Sequence, residues 1–287
     1  MTNSRVVGID IGGSHITAAV VDLQQRLIIP ETLTRNRVNS HASADNILDE
    51  WLETIRQVFT LGHSDSNKLG LAMPGPFDYE NGTCLIKGLD KYESLYGLNI
   101  KQLLSEKLGI KKTDILMMND ASCFLQGELY AGAVCGCNHV IGVTLGTGLG
   151  SATYHDGKIF DGDLYYTTFK DGITEDYLSS RWFVKRYEEL SGNKVNDAKE
   201  VSEKITTDLS AQIVFNEFGI NLGEVLVNYI NKHMAETVVM GGNIMKAWDL
   251  FISKTKQILS ALPNPVQITR ATLGEEGALI GAASLWK

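Results

Sequence analysis

The sequence predicts an α/β protein of two lobes, and three observations lead to this class. Strand and helix signals alternate along the chain, and a strand, glycine turn, strand pattern at residues 6–22 recurs about 130 residues later. A length of 287 residues is sufficient for a large core and is long for one compact domain. Two packed lobes therefore fit the chain better than one.

The first element is "VVGIDIGGSHITAAVVD", Val6 to Asp22. β-Branched residues on both sides of the glycines predict two strands, which places the glycines in a hairpin turn. A phosphate loop or a dinucleotide fingerprint would instead need glycines that open a helix. Main-chain N–H groups of Gly12, Gly13 and Ser14 could contact a nucleotide phosphate, with Asp10 as a carboxylate for hydrated Mg²⁺. An ordinary hairpin with an incidental aspartate remains the alternative.

The elements that follow show the same alternation of strands and helices. Residues 5–33 read as a three-stranded meander, and residues 44–59 have the apolar spacing of a helix. The further predicted elements are strands in "KLGLAMPGPFD", "DILMMND", "ETVVMGG" and "PVQITRA", and helices in "ASCFLQGELYAGA", from Glu175 to about Lys232, and in "GALIGAASL".

Two later glycine turns could also bind a nucleotide. In "HVIGVTLGTGLGSATYHDGK", Gly146, Thr147 and Gly148 would supply main-chain donors and a hydroxyl at the β- and γ-phosphates. In "VVMGGNIMKAW", Gly241 and Gly242 end a strand, where missing side chains would let adenine or ribose lie against the backbone. Each turn alone is a weak signal, whereas their order along the chain is specific.

Composition and charge exclude several classes of partner. A net charge of −8 argues against a large nucleic-acid surface, although a small anion can still be held locally. No apolar run approaches the length of a membrane span, and the first residues lack the apolar core of a signal peptide. We therefore expect a cytoplasmic protein with a small-molecule substrate and with no nucleic-acid or membrane partner.

The four cysteines do not form a disulfide framework. Only Cys135 and Cys137 are close in sequence, and Cys84 and Cys123 stand apart. The segment "CGCNH" offers two thiolates and one imidazole, which fall short of a closed zinc shell. Buried or loop thiols explain these residues better than a metal site.

Several motifs in a fixed order resemble the ROK family of sugar kinases and related repressors. They are "DIGGSHITAAVVD", "GLAMPGPFD", "NDASCFLQGE", "LGTGLGS", "VVMGGNI" and "LGEEGALIGAA". The resemblance implies a two-lobed actin/hexokinase-like (ribonuclease H-like) fold, with ATP and sugar in the cleft between the lobes. It also implies an N-terminal lobe over 1–118 that is joined by the C-terminal helix at about 274–287, and a C-terminal lobe over 119–273.

The resemblance assigns sugar binding to Asn119 and Gly75 and the role of catalytic base to Asp120. A carboxylate at the carboxyl end of a strand can accept the proton of an attacking sugar hydroxyl, which supports this role independently. Phosphoryl transfer otherwise needs alignment and charge neutralisation by Mg²⁺. The alternative for Asn119 and Asp120 is simple capping of the next helix, since both residue types are preferred caps.

The chain departs from the family pattern at residues 157–181. The zinc loop with its cysteines is missing, so we expect no zinc. The cofactors that we expect are ATP and Mg²⁺. By position, Asp163 falls at the family's first sugar-binding Glu, Tyr166 at its His, and Glu175 at its second Glu. An ordinary solvated turn is the alternative for Asp163 and Tyr166, and compensation of helix N-terminal charge is the alternative for Glu175.

Together, the motifs predict an ATP-dependent kinase for a hexose hydroxyl. Glucose-like sugars come first as substrates, and N-acetylated hexosamines second. The alternative is a non-catalytic sugar sensor or regulator of the same fold without a DNA-binding domain, because the first predicted strand begins near Arg5. Related kinases are often dimers, so a homodimer is a possible assembly, although no residue pattern in the sequence demonstrates it.

Overall fold

The computed structural model describes residues 4–62 and 67–287. The chain forms two compact units. Unit 1 comprises Met1–Cys135 and Glu275–Lys287, and unit 2 comprises Gly136–Gly274. In the described part of the chain, no helix is long and apolar enough to cross a membrane.

Strands and α-helices alternate through both units, with short 3₁₀ turns between them. The strands are β1 (Arg5–Ile11), β2 (His15–Asp22), β3 (Leu27–Ile28), β4 (Thr34–Arg37), β5 (Leu69–Met73), β6 (Phe77–Asp78), β7 (Thr83–Cys84), β8 (Ile115–Asn119), β9 (Val140–Leu145), β10 (Leu149–His155), β11 (Lys158–Asp161), β12 (Thr168–Phe169), β13 (Gly172–Ile173), β14 (Thr237–Gly241) and β15 (Gln267–Arg270). The α-helices are α1 (Ala44–Gly62), α2 (Ile100–Leu108), α3 (Asp120–Ala131), α4 (Thr174–Tyr177), α5 (Ser180–Ser191), α6 (Ala198–Glu203), α7 (Leu209–His233), α8 (Trp248–Leu259) and α9 (Gly277–Ser284).

Unit 1 is built on a mixed sheet of six strands. Its order is β3-β2-β1-β5-β8, and β4 also pairs with β2. The β1–β2, β2–β3 and β2–β4 pairs are antiparallel, whereas β1–β5 and β5–β8 are parallel. The parallel strands end at one edge of the sheet, where ligands bind in open α/β sheets.

The two faces of strand β1 bury different partners. Val7, Ile9 and Ile11 are fully buried in a core that includes Trp51 of α1. Gly8 faces the other way, where a Cβ atom would collide with the backbone carbonyl of Leu279 in α9. Side chains alternate between the faces of a strand, so β1 presents its even-numbered residues to the face that α9 covers.

Helix α9 packs against α3 at backbone distance. A Cβ atom on Gly127 would collide with the carbonyl of Gly277, and one on Gly281 would collide with the carbonyl of Cys123. Helix α3 therefore lies in unit 1 together with α9. The division of the chain falls after Cys135 rather than after Met118, because α3 packs in this way on the C-terminal helix.

Unit 2 repeats the strand arrangement of unit 1. Its sheet order is β11-β10-β9-β14-β15, with antiparallel pairs up to β9 and parallel pairs beyond it. The predicted recurrence of the strand, glycine turn, strand pattern is thus confirmed. A cluster of phenylalanines in α5, α7 and α8 fills the core, with Phe183 and Phe218 rings 4.6 Å apart and Phe218 and Phe251 rings 5.1 Å apart.

Candidate functional site

The hairpin turn between β1 and β2 is exposed and carries glycines that the protein itself does not require. Gly12 N–H donates to the carbonyl of His15 at 2.8 Å, which closes the turn around Gly13 and Ser14. Neither glycine has φ in the left-handed region, and a Cβ atom on Gly13 would meet no described atom within 4 Å. Close approach of a ligand therefore explains these glycines better than local packing does.

A buried tyrosine holds this turn from behind. Tyr92 Oη donates to the carbonyl of Gly12 at 2.6 Å, and its ring contacts Trp51 edge-on with centroids 5.6 Å apart. Burial raises the pKa of Tyr92, so the hydroxyl remains a donor. Tyr92 thereby fixes the Gly12 carbonyl, so both backbone polar groups of Gly12 have protein partners.

Asp10 lies on strand β1, two residues before Gly12, where it is influenced by the carboxylate of Asp120. Burial, together with the charge of Asp120, raises the pKa of Asp10 from 3.8 to about 7. Arg35 opposes this rise, whereas Glu275 adds to it. A divalent cation would relieve the repulsion between the carboxylates.

The donor set around Asp10 fits Mg²⁺ that is only partly held by protein. Carboxylate oxygens are ligands that Mg²⁺ prefers, and this ion usually keeps waters and binds through substrate phosphates. Within the described ranges no group of three or more His, Cys, Asp or Glu side chains is placed to hold a metal ion. A magnesium ion at Asp10 would therefore need further ligands from water or from phosphate oxygens.

Asn119 caps helix α3, and Asp120 is the first residue of that helix. Asn119 Oδ1 accepts from the N–H groups of Ala121 and Ser122 at 2.9 and 3.2 Å. Asp120 Oδ1 accepts from Ala121 N–H at 2.9 Å. Capping thus accounts for Asn119 Oδ1, while Asp120 presents a carboxylate at a helix N-terminus that stabilises its charge.

Gly75 lies beside Asn119, and Tyr79 connects them. Asn119 Nδ2 donates to Tyr79 Oη at 3.3 Å, and Tyr79 Oη donates to the carbonyl of Met73 at 3.0 Å. A Cβ atom on Gly75 would lie 3.0 Å from Tyr79 Oη. The structure brings Gly75, Asn119 and Asp120 together in unit 1, and it adds Tyr79, which sequence reasoning missed.

The second glycine turn joins β9 to β10 in unit 2. Gly146 N–H donates to the carbonyl of Gly148 at 3.0 Å, and the carbonyl of Gly146 accepts from Ser180 N–H at 2.8 Å. Thr147 is exposed, and a Cβ atom on Gly146 would meet no described atom within 4 Å. The turn therefore leaves open space around Gly146, as a phosphate-binding turn needs.

Glu175 is tied into this turn. Its Oε2 accepts from Leu149 N–H at 2.9 Å, and a Cβ atom on Gly148 would lie 2.8 Å from the same oxygen. Its Oε1 accepts from Arg181 Nη2 at 2.6 Å. Both carboxylate oxygens thus have protein partners. The close approach of Glu175 to residue 148 by itself favours glycine at that position.

Asp163 and Tyr166 form a separate hydrogen-bonded pair. Tyr166 Oη donates to Asp163 Oδ2 at 3.3 Å, and Lys232 Nζ lies 3.6 Å from Asp163 Oδ1. The charge of Asp163 raises the pKa of Tyr166. Both residues belong to the short turn before β12, and their exposed polar atoms could bind sugar hydroxyls.

Gly241 and Gly242 end strand β14. Gly241 is buried in the sheet, whereas Gly242 has a φ of 92°. A Cβ atom on Gly242 would also collide with the carbonyl of Leu145. Packing of β14 on β9 therefore already requires Gly242, and contact of this turn with adenine or ribose stays a prediction.

The repeated sheet order and the glycine turns characterise the class of α/β protein to which this chain belongs. Each unit carries a glycine hairpin on a sheet of the same order, and unit 1 adds paired aspartates at the carboxyl edge of its sheet. The ROK family model matches residues 6–165 and 170–287. The chain belongs to the ROK family.

Curated relatives span the whole chain at low identity. A glucokinase of Thermotoga maritima is 22% identical, covering 100% of this chain and 98% of the relative. An N-acetyl-D-glucosamine kinase of Photobacterium profundum is 24% identical, covering 97% of this chain and 98% of the relative.

Solved structures share the fold. A ROK family glucokinase of Streptomyces griseus, in complex with glucose and AMPPNP, has a TM-score of 0.79 at 22% identity and covers 98% of both chains. A ROK family transcriptional regulator has a TM-score of 0.81 at 17% identity, covering 98% of this chain and 77% of that one. The actin/hexokinase-like fold is thus confirmed, and the fold is common to kinases and regulators.

Proposed function

We propose that the protein is a sugar kinase that transfers the γ-phosphoryl group of ATP to a hexose hydroxyl. The observation that carries this proposal is the pair Asp10 and Asp120 beside the exposed Gly12–Ser14 turn, in a ROK family chain. A phosphoryl-transfer site needs a base for the acceptor hydroxyl and donors for the phosphates. Unit 1 contains both.

In the proposed reaction Asp120 takes the proton of the attacking hydroxyl. As the sugar oxygen bonds to the γ-phosphorus, the bond from that phosphorus to the bridging oxygen breaks, and ADP leaves with the electron pair. Asn119 and Gly75 position the sugar. N–H groups of the Gly12–Ser14 and Gly146–Gly148 turns, other than those of Gly12 and Gly146 themselves, donate to phosphate oxygens. Mg²⁺, when bound at Asp10, would neutralise charge on the phosphates.

A glucose-like hexose is the first candidate for the sugar substrate, and an N-acetylated hexosamine is the second. The curated relatives include a glucokinase and an N-acetyl-D-glucosamine kinase, which supports both sugar classes as candidates. Asp163 and Tyr166 are the proposed further sugar contacts, since their polar atoms are exposed. Glu175 is proposed here too, although both of its oxygens have protein partners.

A coupled assay of ATP consumption over neutral hexoses and N-acetylhexosamines tests the function. We expect turnover with one of these sugars and a sugar phosphate that mass spectrometry identifies. Sugar binding without any turnover would instead indicate a sensor or regulator. Asp120→Asn, which keeps the size of the side chain, is the matched control for contaminating kinases.

Three further properties are proposals. We propose a cytoplasmic enzyme, since ATP is supplied there; a homodimer, which light scattering would detect; and no structural zinc. One zinc per chain after purification without added metal would contradict the last proposal.

A further inference from the structure

Basic side chains share a sheet face with Asp10. Asp10 is paired with Thr17 across β1 and β2, and Thr17 is paired with Arg35 across β2 and β4. Residues opposite one another on neighbouring strands project to the same face. One row nearer the hairpin tip, His15 is paired with Arg37. Arg35 and Arg37 therefore lie on the face of Asp10, at the end where Gly12 turns.

Arg35 is held by an exposed partner. Its Nη1 lies 2.7 Å from Glu275 Oε2, and the side chains are 51% and 72% exposed. Glu275 lies in the short turn just before α9, the helix that covers this face at Gly8. An exposed ion pair contributes little to stability, so Arg35 can exchange Glu275 for a phosphate at small cost.

The charges around Asp10 favour the exchange of Glu275 for a phosphate as the partner of Arg35. Asp10 is acted on by the negative charges of Asp120 and Glu275, and Arg35 is the cation that opposes them. A polyphosphate at the turn would be repelled by these carboxylates, so cationic side chains nearby would favour its binding. A second cation on the same face, Arg37, is exposed.

We propose that strand β4 forms part of the phosphate site: Arg35 and Arg37 bind the terminal phosphate oxygens of the nucleotide, and Arg35 leaves Glu275 to do so. This proposal rests on the proposed function, which supplies the nucleotide. Guanidinium groups match phosphate oxygens in bidentate geometry, and both arginines lie on the sheet face of Asp10.

Calorimetric titration with ATP and with AMP, without sugar, tests the proposal. Arg35→Gln and Arg37→Gln should each weaken ATP binding roughly tenfold, the usual loss for a charged hydrogen bond, and leave AMP binding nearly unchanged. Glu275→Gln should tighten ATP binding about two- to fivefold, because it frees Arg35 and removes a negative charge. Arg35→Lys should restore part of the affinity.

Arg5→Gln is the matched control, since Arg5 is an exposed arginine of the same sheet at the opposite end of β1. Its ATP affinity should equal that of the wild type. Equal ATP affinity of folded Arg35→Gln and Arg37→Gln proteins, or a Glu275→Gln variant that binds ATP more weakly, would overturn the proposal, as would a wild type that binds no ATP. Arginine-dependent ATP binding without phosphorylation of any sugar would uphold it and reject the kinase instead.

Discussion

The carboxylate of Glu175 accepts a hydrogen bond from the backbone N–H of Leu149, 2.9 Å away, in the turn proposed to bind phosphate. Arg181 binds the other carboxylate oxygen at 2.6 Å. Glu175 is the second residue of α4, so this helix and the β9–β10 turn are fixed to each other through one side chain. A residue expected to contact sugar is therefore also a positioning residue for the turn.

Replacement of Glu175 separates these two roles. In Glu175→Ala the Leu149 N–H loses its acceptor, and we expect the KM for ATP to rise about tenfold, as a loss of roughly 1–2 kcal/mol implies. Steady-state kinetics with each substrate varied in turn measures this. Arg181→Gln is the control, because Arg181 is 69% exposed and its ion pair should matter little. A rise confined to the KM for the sugar would show that Glu175 contacts sugar and does not position the turn.

The two glycines of this turn should differ in their response to alanine. Gly148→Ala places a methyl group 2.8 Å from Glu175 Oε2, so it should displace that carboxylate and lower both stability and ATP affinity. Gly146→Ala meets no described atom within 4 Å, so stability should be unchanged while ATP affinity falls. Thermal unfolding and ATP titration of both variants are the measurements. Unchanged ATP affinity in Gly146→Ala would remove Gly146 from the phosphate site.

Asp120→Asn should abolish most turnover. The amide cannot accept the hydroxyl proton, so kcat should fall by roughly two to four orders of magnitude, the usual range for loss of a general base. Its Oδ1 can still accept from Ala121 N–H, so folding and sugar affinity should change much less. Single-turnover rates and sugar calorimetry test this, and near-normal turnover would show that Asp120 is not the base.

Asp10 makes the stability of the free protein depend on pH. Its pKa rises from 3.8 to about 7 in the folded state, so between these values the native protein binds a proton that the unfolded chain has released. Stability from this group is therefore present at low pH and falls as pH rises towards 7. Without nucleotide or Mg²⁺, Asp10→Asn should be more stable than the wild type at pH 8 by up to roughly 4 kcal/mol, and equally stable near pH 4.

Denaturant unfolding at both pH values measures this difference. The control is Asp90→Asn, because the Asp90 side chain is fully exposed and should shift stability equally little at both. An Asp10→Asn variant that is no more stable than the wild type at pH 8 would mean that the surroundings of Asp10 do not disfavour its ionised form. The same variant should need more Mg²⁺ for turnover than the wild type.

The contact between α3 and α9 should tolerate no side chain. Gly127→Ala directs a methyl group at the carbonyl of Gly277, so we expect a loss of at least about 1–3 kcal/mol in the free energy of unfolding. Gly13→Ala is the control for stability, since the Gly13 site is open. Equal unfolding midpoints for the two variants would contradict the packing described for these helices.

Regular elements were largely predictable from sequence because their signals are local. The helix predicted over residues 44–59 is observed as α1, Ala44–Gly62, and the predicted hairpin at Gly12 and Gly13 is confirmed. The meander predicted over residues 5–33 ends instead in a short β3, followed by β4. Pro30 interrupts the strand by starting a 3₁₀ turn, and β4, whose four residues are all polar, gives no hydrophobic signal.

Contacts between distant segments could not be read from sequence. Tyr92 reaches Gly12 across 80 residues, and Arg35 reaches Glu275 across 240. The sequence separation of neither pair predicts its contact, because tertiary packing brings these residues together. The spacing of Arg35 and Arg37 by two residues was the one local signal available, since residues two apart on a strand share a face. The motif order, by contrast, located Asn119, Asp120 and Gly75 together.

Unit 1 is discontinuous in sequence, and this affects how the molecule is made. The ribosome synthesises residues 136–274, which form all of unit 2, before it reaches Glu275–Lys287. Helix α9 covers the sheet face at Gly8 and packs on α3, so those surfaces lack their partner throughout synthesis of unit 2. The unit that starts first is thus completed last, the reverse of the N-terminal-first order usual for domains that fold during translation. Nascent chains of this protein should therefore expose the glycine-rich face of unit 1 to chaperones until translation reaches α9.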